Sequence, residues 1–452
     1  MLDDTIAAIA TPLGEGGLAV IRISGSQALS VADACFRSPR GSAPRPSQRD
    51  SHTVHYGFIE LEGKRVDEVL LTVMRAPRTF TREDVVEISC HGGMVPTQSV
   101  LQAVMRAGAR LAEPGEFTRR AFLNGRIDLT QAEAVADVIH ARTDRALAAA
   151  HAQLSGRLSR RIVEVRDQLM KVLAHLEAHI DFPDEDIAPD TRQQLVDRLS
   201  QALAFVDGLL DTAREGQLLR RGIRVAIVGR PNAGKSSLLN QLLGRDRAIV
   251  SPQAGTTRDT IEEIANVRGI PVIFVDTAGL RDSTDLVERE GIRRSRESLE
   301  QAELVLHVVD PSVPADPSTA ELDAQLSGRV SFRVLNKCDL GDLGPVPMNG
   351  LKVSCLTGEG IEALKDAIVA RVWSGAIQGD MAEAMINARH QEALIRAREA
   401  LIHARTALGD GLTLELASME LRIAVNAVGE VVGQTATEDL LDVIFSQFCI
   451  GK

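Results

Sequence analysis

The sequence predicts a multidomain α/β protein in which a helical bundle is interrupted by a β/α domain, with an α+β domain ahead of both. Three observations carry that expectation. Residues 1–118 mix strand-like and helical stretches. Residues 119–216 and 379–452 are helical in pattern throughout. Residues 217–378, between them, alternate apolar strands with helices around a glycine-rich loop, so this domain is read as an insertion into the bundle. At 452 residues, 44% hydrophobic and 25% charged, the chain is long enough for about three globular domains.

In the first domain, Ala19-Val20-Ile21-Arg22-Ile23 reads as a strand after the Gly14–Gly17 turn, and Arg37 to Asp50 as a loop rich in Pro, Ser and Arg. Val69–Met74 and Val85–Ser89 read as further strands. Cys90-His91-Gly92-Gly93 is expected to turn into a helix carrying Val100, Leu101, Val104 and Met105. His91 beside Cys90 raises the question of nucleophilic chemistry. With no third group in evident reach, a structural histidine in a tight turn is the better reading.

From residue 119 the chain becomes Ala-rich. Leu147, Leu154, Leu158, Ile162, Val165, Leu169, Val172, Leu176 and Ile180 form one apolar stripe at helical spacing, ending at Asp181-Phe182-Pro183-Asp184-Glu185-Asp186. A second helix after Pro189-Asp190-Thr191 carries Leu195, Leu199, Leu203, Val206 and Leu209. Long helices joined by a short turn suggest a bundle, completed by the C-terminal segment. The acidic run Asp184–Asp186 is read as a solvated helix cap rather than a cation site.

Composition bounds the partners. A net charge of −11 excludes gripping nucleic acid by bulk electrostatics, so any RNA contact belongs to a local patch or a partner protein. The clusters Arg157-Leu158-Ser159-Arg160-Arg161 and Arg389, Arg396 and Arg398 are candidate patches, though ordinary solvated helix faces explain them as well. Cys35, Cys90, Cys338, Cys355 and Cys449 are scattered without a C-x-x-C pair, against a disulfide framework or a zinc site. No apolar run reaches the length of a membrane span and no basic region leads into an apolar one at the N-terminus, so a cytoplasmic protein is expected.

The inserted domain carries the chemistry. Gly229-Arg230-Pro231-Asn232-Ala233-Gly234-Lys235-Ser236-Ser237 fits G-x-x-x-x-G-K-[ST] between the strand Ile223–Val228 and the helical Leu238–Leu243. In that setting loop N–H groups cradle a β-phosphate, Lys235 reaches the β- and γ-phosphates, and the Ser236 hydroxyl ligates Mg²⁺. Gly255-Thr256-Thr257-Arg258-Asp259 offers a second Mg²⁺ hydroxyl. Asp276-Thr277-Ala278-Gly279 offers Asp276 to Mg²⁺ through water and a Gly279 amide to the γ-phosphate. Asn336-Lys337-Cys338-Asp339 ends the strand Phe332–Leu335, and Asp339 accepts from guanine N1 and its exocyclic amine, a pair adenine cannot offer. Ser354-Cys355-Leu356 backs the base. These elements in this order indicate a GTPase. Leu280 follows Asp276–Gly279 where signalling GTPases carry a water-orienting Gln. Hydrolysis therefore draws on the polar segment Arg281, Asp282, Asp285, Glu288 and Glu290, with Glu288 chosen as the carboxylate that positions water. A monovalent cation at Asn232 and the switch loop would supply charge otherwise given by an arginine, unless Asn232 is only a turn former.

Over essentially its whole length the chain resembles the TrmE-type (MnmE) tRNA modification GTPase family. The matching stretches are Gly229–Ser237, Gly255–Asp259, Asp276–Gly279, Arg281–Arg289, Phe182–Glu185, Pro114-Gly115-Glu116-Phe117 with Arg120-Ala121-Phe122-Leu123-Asn124, and Phe448–Lys452. The resemblance implies a folate-binding-like, dimerising first domain that holds 5-formyltetrahydrofolate or a related one-carbon folate through Arg22, Glu87, Arg126 and Lys452. Arg126 stands where some members carry Lys. It implies GTP contacts at Asn232, Ala233, Gly234, Lys235, Ser236, Ser237, Ser251, Pro252, Gln253, Ala254, Gly255, Thr256, Thr257, Asp276, Thr277, Ala278, Gly279, Asn336, Lys337, Asp339, Ser354, Cys355 and Leu356. Mg²⁺ falls to Ser236 and Thr257, and K⁺ to Asn232, Ser251, Gln253 and Thr256, with Ser251 where Thr is common. Glu288 matches the family's catalytic glutamate. The implied partners are a second copy of the chain, tRNA, and the FAD-dependent MnmG (GidA) in a heterotetramer-type complex. Together they would add an aminomethyl or carboxymethylaminomethyl group to C5 of the wobble uridine at tRNA position 34, and Cys449 matches a terminal cysteine tied to modification. A ribosome-assembly GTPase is the alternative, disfavoured by the flanking domain and the Phe448–Lys452 tail. A folate enzyme with a merely structural G domain is disfavoured by intact Lys235, Ser236, Asp276 and Asp339.

Overall fold

The structure, a computed structural model, describes residues 4–40, 43–182, 192–244, 263–275, 299–313, 322–341, 350–373 and 386–451. The chain divides into two compact units, residues 1–136 with 429–452, and residues 137–428.

The first unit is built on a seven-stranded sheet: β1 (Ile6–Ile9), β2 (Gly16–Ser24), β3 (Phe36–Arg37), β4 (Thr53–Leu61), β5 (Lys64–Met74), β6 (Val85–Gly92) and β7 (Arg110–Leu111). The order is β3-β4-β5-β6-β2-β1-β7, antiparallel except between β1 and β7. Alternation sorts the residues. Ile21, Ile23, Leu71, Val73, Val86 and Ile88 are buried in one core with residues of α1 (Ala28–Cys35) and α2 (Met94–Arg106). Arg22 stands opposite Glu87, and Glu87 opposite Thr72, across β2, β6 and β5. The expected strands at Ala19–Ile23, Val69–Met74 and Val85–Ser89 lie inside β2, β5 and β6. β4 was missed although Val54, Tyr56 and Phe58 alternate with Thr53, His55 and Gly57, and it is Val54 and Tyr56 that lie on its exposed face.

One local expectation is corrected. Cys90, His91 and Gly92 continue β6 rather than turning. Gly92 serves a close strand approach, since a Cβ there would lie 2.5 Å from the Gly16 carbonyl oxygen. Cys90 is therefore buried, with its thiol pushed up to about 11 chiefly by that burial. His91, on the exposed side, binds Asp67 through Nδ1 at 2.7 Å. The two side chains do not form a nucleophile–base pair, and the histidine is structural.

α3 (Glu116–Leu123) contributes the one fully buried arginine in this core, Arg120. It donates to Asp4 Oδ1 at 2.7 Å, Glu116 Oε1 at 3.0 Å and Glu83 Oε1 at 3.2 Å. Arg110 adds a second cation on Glu116 (2.7 Å) and Asp4 (2.5 Å), while Glu83 also accepts from Ser24 at 2.7 Å. Burial opposes ionisation of Asp4 and Glu116, but the arginine hydrogen bonds prevail and both carboxyls sit below their usual range. A depressed folded-state value means stability that is present above the ordinary carboxylate range and lost as pH falls through it.

α4 (Leu129–His140) leads to the second unit, whose helices are α5 (Asp144–Leu154), α6 (Arg157–Asp181) and α7 (Arg192–Arg221). The single stripe expected from Leu147 to Ile180 is divided, because Ser155-Gly156 interrupts it between α5 and α6. α6 ends at Asp181 as expected, and Leu195, Leu199, Leu203, Val206 and Leu209 of α7 are all buried. β8 (Ile223–Gly229), α8 (Lys235–Leu243), β9 (Glu263–Val267), β10 (Ile270–Phe274), β11 (Leu304–Val309), β12 (Ser331–Leu335), β13 (Gly350–Lys352) and α9 (Ile361–Val372) follow. Their sheet order is β13-β12-β11-β8-β10-β9, parallel apart from β9. α10 (Ala388–Gly409) then packs on α7, with Ala393, Ala397, Ala400 and Ala404 among its buried residues, and α11 (Leu414–Val432) follows. Among the described residues no helix is long and apolar enough to cross a membrane.

Replacing Arg120 by Ala takes the cation from Glu83 and leaves Glu116 and Asp4 with Arg110 alone, and should destabilise the protein by about 3 kcal/mol in chemical denaturation followed by circular dichroism. The wild-type protein should lose stability as pH falls below about 4, because these carboxyls take up protons in the unfolded chain before Asp4 and Glu116 do in the folded one, and the variant should show a shallower acid dependence.

Candidate functional site

The nucleotide loop lies where β8 gives way to α8, at the carboxyl edge of a parallel sheet. Asn232 adopts φ +62° and Gly234 φ +96°, which bends the loop back over the helix start. Gly234 is required there: its backbone is left-handed, and a Cβ would collide with the Asn336 side-chain amide. Lys235 donates to the carbonyls of Gly229 (3.0 Å) and Arg230 (2.9 Å), so its ammonium stands in the mouth of the loop. Burial lowers its proton affinity. A desolvated cation held by carbonyl dipoles is matched to phosphate oxygens. Ser236 and Ser237 are exposed at the first turn of α8, where N–H groups converge.

The base-reading loops are locked onto this loop by one side chain. Asn336, at the end of β12 and 2% exposed, donates through Nδ2 to the Ala233 carbonyl at 2.9 Å and accepts through Oδ1 from the Cys355 amide at 3.1 Å. From α8, Gln241 donates to the Cys355 carbonyl at 2.8 Å. Ser354, fully buried, donates to Asp339 Oδ1 at 2.5 Å and receives the Thr357 amide. Asp339 itself is exposed and keeps an acceptor oxygen for a ligand. Leu356 is 84% exposed beside it, and the Cys355 thiol is pushed up to about 11 by burial. Asn232, Ala233, Gly234, Lys235, Ser236, Ser237, Asn336, Lys337, Asp339, Ser354, Cys355 and Leu356 are thus carried on three loops at one sheet edge.

Sequence reading missed Asp310. It follows β11 and accepts Lys337 Nζ at 2.5 Å, and Ser312 besides. Burial opposes its charge, but the Lys337 and Ser312 hydrogen bonds hold its carboxyl below the usual range. The available signal was register: β11 and β12 are parallel neighbours, so an acid just past one meets a lysine just past the other. Ser251, Pro252, Gln253, Ala254, Gly255, Thr256, Thr257, Asp276, Thr277, Ala278, Gly279 and Glu288 lie outside the described residues.

In the first unit two sequence motifs meet. Pro114 bridges Ile450, the Gly115 amide faces the Cys449 carbonyl at 3.4 Å, and Phe448 is buried with Phe445, Leu441 and Leu129. Gly451 (φ +93°) passes so close to β1 that a Cβ would lie 2.5 Å from the Ile9 carbonyl oxygen. Its own carbonyl accepts from Arg22 at 3.1 Å, and Arg22 Nε donates to Glu87 at 2.8 Å. Arg22 also lies 5.7 Å from the Phe117 ring. Phe117 packs in a small cluster with Phe80, and Arg126 lies over Phe80 at 5.2 Å while donating to the Thr79 carbonyl. Arg22 and Glu87 are therefore in contact, and Arg126 adjoins the same aromatic cluster. Lys452 lies outside the described residues. Cys449 is the exposed member of the five cysteines.

Strand, glycine loop and helix, clasped to a carboxylate loop and a serine loop, define a P-loop GTP-binding protein. Comparison with known proteins narrows this. A family model described as the MnmE helical domain matches residues 129–449, and one described as the GTP-binding protein TrmE N-terminus matches residues 5–126. The chain is 51% identical over 465 residues to the tRNA modification GTPase MnmE of Symbiobacterium thermophilum, covering 100% of both chains. It is 48% identical over 459 residues to that of Geobacter sulfurreducens, again with 100% of both covered. Among solved structures, the G domain of the T. maritima FeoB iron transporter is 25% identical over 33% of this chain and 97% of that one, at a TM-score of 0.24 that bears no weight. The chain belongs to the tRNA modification GTPase MnmE family.

Replacing Asp339 by Asn should exchange guanine for xanthine, whose 2-oxo group accepts where guanine donates. Nucleotide binding measured by calorimetry should fall at least about 100-fold for GTP and recover with XTP.

Proposed function

We propose that this chain hydrolyses GTP in the service of tRNA modification. The observation that carries the reading is the Asn336 clasp, which sets Lys235 and the Asp339–Ser354 pair on one nucleotide. The full-length relatives carry the same name, and their match to both flanking segments disfavours a ribosome-assembly role.

Ser236 and Thr257, with Asp276 through water, are the residues to hold Mg²⁺, and Asn232, Ser251, Gln253 and Thr256 are those to hold K⁺. Bound there, the two cations neutralise charge developing on the transferring phosphoryl group. Asn232 is exposed on a left-handed backbone, so its amide is accessible to a cation at the loop. Glu288 orients the attacking water, since Leu280 cannot.

The first unit holds 5-formyltetrahydrofolate or a related one-carbon folate through Arg22, Glu87, Arg126 and Lys452. Arg22 and Glu87 give a donor and an acceptor side by side, next to aromatic rings, as a pterin edge requires. The chain works as a homodimer with the FAD-dependent MnmG (GidA), and the product carries an aminomethyl-type group on C5 of the wobble uridine. Cys449, exposed, takes part in the modification.

Steady-state GTP hydrolysis should be markedly faster in K⁺ than in Na⁺ at equal ionic strength, and Asn232→Ala should abolish the difference; equal rates in the two salts would remove the K⁺ role. Arg22→Ala should weaken 5-formyltetrahydrofolate binding at least about tenfold in equilibrium titration, with GTP hydrolysis intact.

A further inference from the structure

Beside the aromatic cluster of the first unit lies a hollow of about 530 Å³, lined by Met74, Pro77, Arg78, Thr79, Phe80, Arg82 and Arg126. Three of its seven lining residues are arginines, in a chain of net charge −11. Arg78, Arg82 and Arg126 are all exposed, and among the described residues none of the three lies within ion-pair distance of a carboxylate. The arginine-rich helix segments behave differently: Arg398 is paired with Asp207 at 2.5 Å and Arg161 lies over the Phe205 ring.

The hollow is held in shape. Arg82 donates to the Asn124 carbonyl at 2.9 Å, Asn124 donates back to the Thr81 carbonyl at 2.7 Å, and Arg126 donates to the Thr79 carbonyl. Two loops are thus stapled to each other by their own arginines. Each of those guanidinium groups spends one N–H on a carbonyl and keeps donors for a ligand. Arg82 does so from a left-handed backbone, φ +60°, a conformation a non-glycine residue holds at a cost. Behind the loops, Glu83 is fixed by Arg120 and Ser24, so the segment carrying Arg82 is anchored to the buried ion network.

Unpaired, pre-positioned guanidinium forks suit phosphate oxygens. The volume exceeds what one phosphate fills, and Phe80 and Met74 give the hollow an apolar side. We propose that this hollow is a tRNA-binding surface, with Arg78 and Arg82 contacting the RNA phosphate backbone. The proposal rests on the reading that the chain serves tRNA modification. It places RNA next to the segment assigned to the one-carbon donor, as group transfer between them requires.

The test uses the full chain and fluorescently labelled unfractionated tRNA, titrated across a salt series. Arg78→Ala with Arg82→Gly, the latter relieving the backbone strain, should weaken binding about tenfold and lower the slope of log K against log salt by about one per arginine removed. Arg78→Lys should keep most of the affinity. GTP hydrolysis should be unchanged in both variants, and Arg78→Ala alone, at an exposed side chain, should also leave thermal unfolding unchanged while lowering the slope by about one, which separates lost phosphate contact from loosening of the loops that Arg82 holds. An unchanged slope and affinity would overturn the proposal. So would unchanged RNA binding with loss of 5-formyltetrahydrofolate binding, which would assign the arginines to the folate's carboxylates. Failure of the wild-type chain to bind tRNA in a salt-dependent way, with GTP hydrolysis intact, would overturn it while leaving the GTPase reading standing.

Discussion

The side chain of Asn336 is the constraint on which the nucleotide site depends. It sits buried between two loops that follow different strands, donating to Ala233 and accepting from Cys355. Removing the amide would take a partner from a buried carbonyl and a half-buried amide, at a cost of about 1–3 kcal/mol for each. The same side chain fills the space over Gly234, which is why a glycine is needed at that point of the loop. The glycine loop and the loops carrying Asp339 and Ser354 are therefore tied together through one side chain. Asp310 and Gln241 extend the logic: one orients Lys337, the other ties α8 to the serine loop.

The first unit solves a similar problem with ions. Arg120 is fully buried and gathers Asp4, Glu83 and Glu116 from three separate segments. Breaking such a group costs far more than forming it returns, because the remaining charges stay buried. It works best as a specificity device, fixing where the 79–84 loop and α3 lie relative to β1. Around it, Pro114-Gly115-Glu116-Phe117 packs against Phe445 and Phe448 and brings the Gly451 carbonyl to Arg22. Gly451 thereby joins Arg22, 429 positions earlier in the chain, and through it Glu87.

These two centres explain how an acidic chain can serve anionic ligands. Among the described residues many arginines are paired with carboxylates on the helices and in the first unit, while Lys235, Arg82 and Arg126 are held by carbonyl oxygens instead. Affinity for phosphate then comes from placement rather than from net charge.

Motif spacing alone marked the glycine loop between β8 and α8, Asp339 at the end of its own loop and the helical stripe of α7, because each is a local pattern whose physics is complete within a few turns or one loop. Family resemblance marked Pro114–Phe117 and Phe448–Lys452 as separate features, and only the tertiary structure showed that they are two halves of one contact. The break at Gly156 and the continuation of β6 through His91 escaped periodicity, since an apolar stripe does not register a single left-handed residue and a glycine pair reads equally as turn or close approach. Asp310, the Asn336 clasp and the arginine hollow were decided by strand order and loop packing. Those depend on contacts between residues far apart in sequence, which no local pattern encodes.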